Sequence, residues 1–202
     1  MNRALAAFDR AIAAMNRPRV LELGAKRTPG APSSLHRHWV PGASEFVGTD
    51  YQAGEDVDVV ADVHSLSETF GAHRFDAIIC CSTFEHIKYP WIAALEIARC
   101  LRMGGVVFVQ THQSYPIHGA PFDYWRFSSE CLANLFSVEI GMSTLAACHE
   151  FPCQIQAHPD HGPLETLPAF LNSCLCSVKV GETPVDWAGA MRTEREARWI
   201  EV

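Results

Sequence analysis

Leu5, Phe8, Ile12 and Met15 recur at steps of three and four, the spacing of one helix face, and Pro18 ends the pattern. An amphipathic N-terminal helix is therefore expected within residues 1–17. Arg19 to Leu23 is a short β-type run closed by Gly24. The stretch after it holds Pro29, Gly30, Pro32, Pro41 and Gly42 and reads as loop, with at most a short helix around Ser33 to Trp39. Phe46 to Asp50, Val57 to Asp62 and Phe75 to Cys80 are three further runs of strand length, and their continuous apolar character suits a sheet covered on both faces. From Pro90 to Leu101, the residues Ile92, Leu95, Ala98 and Leu101 form a helical stripe that begins at a proline and stops at Gly104-Gly105, with Val106 to Gln110 as the next strand.

Further on, Ser128 or Ser129 can cap a helix through Phe136, and Ser137 to Cys148 and Ser173 to Val180 read as later strands. Thr183, followed by Pro184, starts a final helix through Trp199, with Trp187 and Met191 on one face. That helix closes over the core, forms a homodimer contact or is a mobile tail. The succession of strand, connection, strand and helix is the grammar of an α/β fold: an open, doubly wound, mostly parallel sheet with helices on both faces. A single domain spans 1–202, with an N-terminal helix at 1–17, a core at 18–180 and a C-terminal helix at 183–202. Neither a repeat nor a linker interrupts it.

Composition narrows the function. The chain of 202 residues has 16 Lys+Arg against 23 Asp+Glu, a formal charge of -7, so the cationic surface that binds nucleic acid or an acidic membrane has no evident source. With 48% hydrophobic and 19% charged residues it is a folding composition. The N-terminus carries Asp9 and lacks an apolar stretch long enough for a signal peptide or a span, so a cytoplasmic protein is expected. The 8 cysteines lie mostly in apolar runs and read as reduced, packed thiols. His149/Cys153 and His158/His161 have helical-ligand spacing but lie around Pro152 and Pro159, so no metal site is expected.

In parallel sheets, ligands bind outside the carboxyl ends of the strands, near the point where strand order reverses. Those ends carry Glu22 with Gly24, Asp50 with Tyr51, Asp62 with Val63 and His64, the segment Ser82 to His86, and Thr111-His112. Glycine after the first strand lets a ligand approach the backbone, and Asp50 can accept two hydrogen bonds from a ribose diol. Asp62 can take the exocyclic amine of adenine while the Val63 backbone reads a ring nitrogen. An adenosine-shaped site is the result. Short polar residues at strand ends also make turns and caps, which is the alternative for each of them. The three-glycine phosphate-gripping pattern is missing, which disfavours a dinucleotide.

The ordered set Val20-Leu-Glu-Leu-Gly24, Val47-Gly-Thr-Asp50, Val59-Val-Ala-Asp62, Phe75 to His86 and Glu96 to Gly105 resembles the class I S-adenosylmethionine-dependent methyltransferases, particularly the small bacterial type-11-like members. The resemblance covers residues 18–145. It implies a Rossmann-like sheet of seven strands whose last strand, Ser173 to Val180, is antiparallel. It further implies Glu22 and Gly24 beside the methionine part of S-adenosylmethionine, Asp50 on the ribose, Tyr51 against the adenine, Asp62 and Val63 at the adenine edge, and Cys81, Ser82 and Thr83 beneath the sulfonium. The chain departs from the family's glycine-rich turn at 24–28, where basic residues and prolines stand.

Methyl transfer needs proximity, alignment and, for a hydroxyl or amine acceptor, a base. Thr111 to Phe127 packs two histidines, one aspartate, one arginine and five aromatic residues into seventeen positions, and similar proteins carry the same kind of loop there. His112 and His118 are the candidate bases, and Asp123, Tyr124, Trp125 and Arg126 the candidate acceptor contacts. Asp123 with Arg126 also reads as an ion pair that fixes the loop. His86 reads as structural, holding the turn at Glu85, and Glu85 as a helix cap within reach of the site. The leading expectation is an enzyme methylating a small molecule and releasing S-adenosylhomocysteine. The alternatives are a non-catalytic relative acting as a binding or scaffold protein, and a nucleotide-dependent oxidoreductase that would bind NAD.

Overall fold

A computed structural model describes residues 2–156 and 166–187. Helix α1 (Arg3–Ala13) starts at Asn2, whose side chain accepts from the Leu5 amide at 2.9 Å. Strands β1 (Arg19–Leu23), β2 (Glu45–Asp50) and β3 (Val59–Val60) follow, then helix α2 (Leu66–Phe70) and strand β4 (Phe75–Cys81). Helix α3 (Pro90–Cys100) leads directly into β5 (Leu101–His112), and α4 (Ser129–Leu135) precedes the long strands β6 (Met142–Gln156) and β7 (Thr166–Lys179). Ser128 caps α4 by accepting from the Cys131 amide.

The seven strands form one sheet in the order β3-β2-β1-β4-β5-β7-β6, with β7 antiparallel to both β5 and β6 and the other pairs parallel. Strand order reverses between β1 and β4, so the carboxyl ends of β1, β2, β4 and β5 border one crevice. One face of the sheet is covered by α1, where Phe8 meets Phe108 and Trp39 against Val20, Ile79 and Cys174. The other face is covered by α2, α3 and α4, which bury Leu66, Ala94, Ile97 and Leu132 against Leu21, Ile78, Val107 and Leu175. Burial on both faces is why the central strands read as unbroken apolar runs. A fully buried lysine joins the layers, because Lys179 on β7 donates its Nζ to the Ala98 and Leu101 carbonyls at the end of α3, at 2.7 and 3.0 Å.

Several boundaries differ from those read in the sequence. The run Val57 to Asp62 shrinks to a two-residue strand because Asp58 turns its carboxylate onto the Gly48 amide, at 2.8 Å. α2 is an element that the pattern did not announce. The strand expected from Ser137 begins at Met142, after a 3-10 turn at Val138–Ile140 that ends on left-handed Gly141. β7 starts at Thr166, well before the expected Ser173. Residues 181–186 are not helical, and the Thr183 hydroxyl is buried without a hydrogen bond, so Thr183 is not the expected cap. Arg99 on α3 instead holds this segment through the Pro184 carbonyl, and Trp187 packs on the core and donates to the Trp91 carbonyl. The remainder of the expected C-terminal helix, and His158/His161, lie outside the described residues.

Gly141, just before β6, pins the start of that edge strand to the end of β7. Its carbonyl accepts from Val180 and Gly181, and a Cβ there would lie 2.4 Å from the Gly181 carbonyl oxygen. Gly104 shares the left-handed backbone but has only Arg102 nearby, at 3.8 Å. Gly141→Ala should therefore cost about 2 kcal/mol or more in chemical denaturation, against about 1 kcal/mol for Gly104→Ala, which meets only the left-handed penalty. Equal losses would contradict this account of the β6–β7 junction.

Candidate active site

The crevice has two halves. In the first, Glu22 on β1 is buried, and its carboxylate accepts from the His36 amide at 2.8 Å and faces His36 Nδ1 at 2.7 Å. His36 in turn stacks toward Trp39, with ring centroids 4.1 Å apart, so the loop after β1 folds back over the strand end. A cavity of about 330 Å³ opens here, lined by Glu22, Gly24, Ser34, His36, Cys81, Ser82 and Gln110. Of the expected cofactor residues, it brings together Glu22, Gly24, Cys81 and Ser82. Ser34, His36 and Gln110 are additions that strand-end reasoning missed, because two of them sit in the irregular loop.

Gly24 has φ +74°, and a Cβ there would lie 2.1 Å from Thr83 Oγ1. That close approach lets the turn after β1 lie flat on the turn after β4, where Thr83 donates to the Cys81 carbonyl at 2.9 Å. Ser82 also takes a left-handed backbone, φ +48°, and its amide donates to the Gln110 carbonyl at 2.8 Å. Burial pushes the Cys81 thiol well above its ordinary pKa, so it lines the cavity as a neutral group.

The loop from Ala25 to Pro32 is set by charge. Arg27 forks onto Asp56 with two bonds of 2.8 Å, and this pairing holds the Asp56 carboxyl down at about 2. Asp50 accepts from the Lys26 amide at 3.3 Å and the Gln52 amide at 3.1 Å, and Tyr51 beside it is 64% exposed. Asp62 caps the 3-10 turn Val63–Ser65, accepting from the His64 amide at 2.9 Å and facing its Nδ1 at 2.7 Å. Partial burial works against ionisation of Asp62, yet the His64 hydrogen bonds keep its pKa below the ordinary carboxylate value. Asp50, Tyr51, Asp62, Val63 and Thr83 do not line the cavity itself.

The second half is built around Glu85, which is 0% exposed, in the 3-10 turn Phe84–His86 after β4. Its Oε2 accepts from Thr111 Oγ1 at 2.5 Å, while Oε1 has no hydrogen-bond partner. Three imidazoles turn Nε2 toward that oxygen: His112 at 3.2 Å, His118 at 3.9 Å and His86 at 3.9 Å. The Glu85 carbonyl accepts the Tyr124 and Trp125 amides, which folds the loop Gln113 to Phe127 back over the turn. Asp123 and Arg126 form a two-pronged ion pair of 2.5 and 2.9 Å, and Arg126 also donates to the Tyr115 and Pro116 carbonyls. The Asp123 carboxyl is held far below its ordinary pKa, first by the Arg126 hydrogen bonds and then by the His118 amide. These two charged groups are engaged within the loop, whereas Tyr124 and Trp125 are partly exposed. The expected His112 and His118 thus stand around Glu85, which the sequence offered only as a helix cap within reach of the site.

Residues 2–139 match the family described as Methyltransferase domain. No curated protein matches the sequence. Among solved structures, the YcgJ protein of Bacillus subtilis shares 16% identity and a TM-score of 0.59, covering 90% of this chain and 100% of that one. The 1,6-didemethyltoxoflavin-N1-methyltransferase of Burkholderia thailandensis, solved with 1,6-didemethyltoxoflavin and S-adenosylhomocysteine, shares 16% identity and a TM-score of 0.57, covering 87% and 79%. The trans-methyltransferase CalH, in complex with S-adenosylhomocysteine, shares 14% identity and a TM-score of 0.58, covering 87% and 55%. Among the described residues no helix is long and apolar enough to cross a membrane. With its strand order, its crevice at the β1/β4 switch point and a family match over residues 2–139, the chain belongs to the methyltransferase-domain family and has the fold of the class I S-adenosylmethionine-dependent methyltransferases.

Proposed function

We propose that the protein transfers a methyl group from S-adenosylmethionine to a small-molecule acceptor. The observation that carries this reading is the cavity at the switch point, whose walls continue along β4 and β5 into the Glu85 cluster. Its size falls in the range of small-molecule sites, ~300–1,000 Å³. A buried carboxylate, a serine hydroxyl and a glutamine amide facing one space suit the amino-acid end of the cofactor. Glu22 and Gly24 would hold that end, Asp50 the ribose hydroxyls and Tyr51 the adenine face. Asp62 and Val63 would read the adenine edge, and Cys81, Ser82 and Thr83 would lie beneath the reacting sulfur.

The bound cofactor supplies an already activated methyl carbon, so the chain has to align the acceptor and handle its proton. His112 suits the second task. Its Nδ1 lies 2.9 Å from Asn172 Oδ1, and in the tautomer that donates to this oxygen Nε2 keeps a lone pair. Glu85, 3.2 Å away, would stabilise the imidazolium formed when Nε2 takes the acceptor's proton. His118 is the second base of this reading, and Tyr124 and Trp125 offer apolar faces to the acceptor, with Asp123 and Arg126 shaping the loop. The net charge of -7 favours a small molecule over nucleic acid, and the eight free cysteines suit a cytoplasmic setting.

Calorimetric titration should show binding of S-adenosylmethionine and S-adenosylhomocysteine but not NAD. Asp50→Ala should weaken it about tenfold or more, the worth of a lost charge-assisted hydrogen bond. Gly24→Ala should weaken it further by driving Thr83 off the turn. No binding of either ligand would favour a non-catalytic binding or scaffold protein. Once an acceptor is found by screening with labelled cofactor, His112→Ala should lower kcat by ~10²–10⁴ while leaving the S-adenosylhomocysteine affinity unchanged. Unchanged turnover would remove His112 from the proton-handling role.

A further inference from the structure

We propose that Glu85, His112 and His118, with His86 beside them, bind one divalent transition-metal ion of the Zn²⁺ type. A ligand atom from each of the first three lies within 4.8 Å of the others. The arrangement has the organisation of a metal site in its surroundings as well as in its donors. His112 Nδ1 faces Asn172 Oδ1 at 2.9 Å, His118 Nδ1 faces the Pro116 carbonyl at 3.1 Å, and His86 Nδ1 faces the Phe122 carbonyl at 2.7 Å. The two backbone carbonyls can only accept, and the Asn172 amide accepts through Oδ1 as oriented, so a ring bonded this way carries a proton on Nδ1 and can present an Nε2 lone pair. All three Nε2 atoms are turned toward Glu85 Oε1. Fixing the tautomer through a carbonyl or amide oxygen is what the surroundings of metal-ligating histidines do.

Charge makes the same demand. Glu85 is fully buried and Oε1 accepts no hydrogen bond, although His112 Nε2 stands only 3.2 Å away. A ring nitrogen and a carboxylate oxygen facing each other at that distance need a proton or a metal cation between them, and a carboxylate met by several imidazoles is an arrangement a divalent ion can satisfy. Arg126, the nearby guanidinium, is engaged by Asp123, so no arginine is paired with Glu85. Four ligands around a Zn²⁺ ion at about 2.0–2.2 Å stand about 3.3 Å apart. The His112–Glu85 spacing of 3.2 Å already fits, and His118, at 3.9 Å from Glu85 and within 4.8 Å of the other donors, would have to move inward on its loop. Nitrogen and carboxylate donors without thiolate select zinc, iron or manganese over the softer ions.

Gly119 supports this placement. Its φ is +62°, and a Cβ on it would lie 3.1 Å from His86 Cε1, so a glycine lets the loop that delivers His118 pass close to the His86 ring without displacing it. The metal site itself stands apart from methyl transfer. It bears on the proposed function in one respect: the base role given to His112 and His118 belongs to the metal-free chain, and in the metal-loaded chain both would be ligands and an acceptor oxygen would be acidified by coordination at the open position, its proton leaving to water.

The test uses the full chain, stripped with a chelator and dialysed. Calorimetry with Zn²⁺ and absorption titration with Co²⁺ should each saturate at one ion per chain, with Co²⁺ d–d bands and no thiolate charge-transfer band. His118→Ala, on the partly exposed loop, should weaken binding at least tenfold, and Glu85→Gln should do the same if that chain folds. S-adenosylhomocysteine affinity, measured on the same samples, should not follow the metal. Lack of saturation at one ion, equal affinity in His118→Ala, or a thiolate band from the cysteines would overturn the proposal. Metal binding with no S-adenosylhomocysteine binding would uphold the site and refute the methyl-transfer reading alone.

Discussion

A carboxylate buried without solvent is the constraint around which this site is arranged. Burying a carboxyl group is costly unless its oxygens find partners, and Glu85 has Thr111 on one oxygen and three imidazoles facing the other. Its side chain ties the end of β4 to Thr111 on β5, and its carbonyl gathers the Tyr124 and Trp125 amides of the following loop. Two strand ends and the loop are thus anchored on one residue. The three imidazoles around Oε1 are consequences of the same anchoring, since His86 is its neighbour, His112 ends β5 and His118 rides on the loop.

The other half of the crevice is held by different means. Where a helix N-terminus would usually meet a ligand, the loop after β1 is fixed by the Arg27 fork on Asp56 and by His36 on Glu22. Gly24 then permits the contact with Thr83 that joins the two turns. The halves meet at Ser82 and Gln110, whose backbone hydrogen bond lies between the cavity and the Glu85 cluster. A cofactor in the first half and an acceptor against the second would face each other across that bond.

Much of this was legible in the chain. Strands covered on both faces leave apolar runs, so β1, β2, β4 and β5 and the crevice at their ends could be read directly, and α3 and α4 showed their starts through Pro90 and Ser128. What escaped depends on contacts between distant segments. Asp58 shortens β3 by bonding across to Gly48, and the left-handed Gly141 delays β6, neither of which a local apolar pattern encodes. At the cavity, Glu22 could be singled out from its place at a strand end, but His36 reaches it across an irregular loop. The donors around Glu85 come from three segments, so no ligand spacing within one element could reveal them.

The most direct measurement is a crystal structure of the protein with S-adenosylhomocysteine. The account predicts the homocysteine end in the cavity of Glu22, Gly24 and Gln110, the adenosine against Asp50 and Tyr51, and the sulfur over Cys81 and Ser82 on the side facing His112. A ligand seated away from the β1/β4 switch point, or with its sulfur turned from the Glu85 cluster, would contradict it.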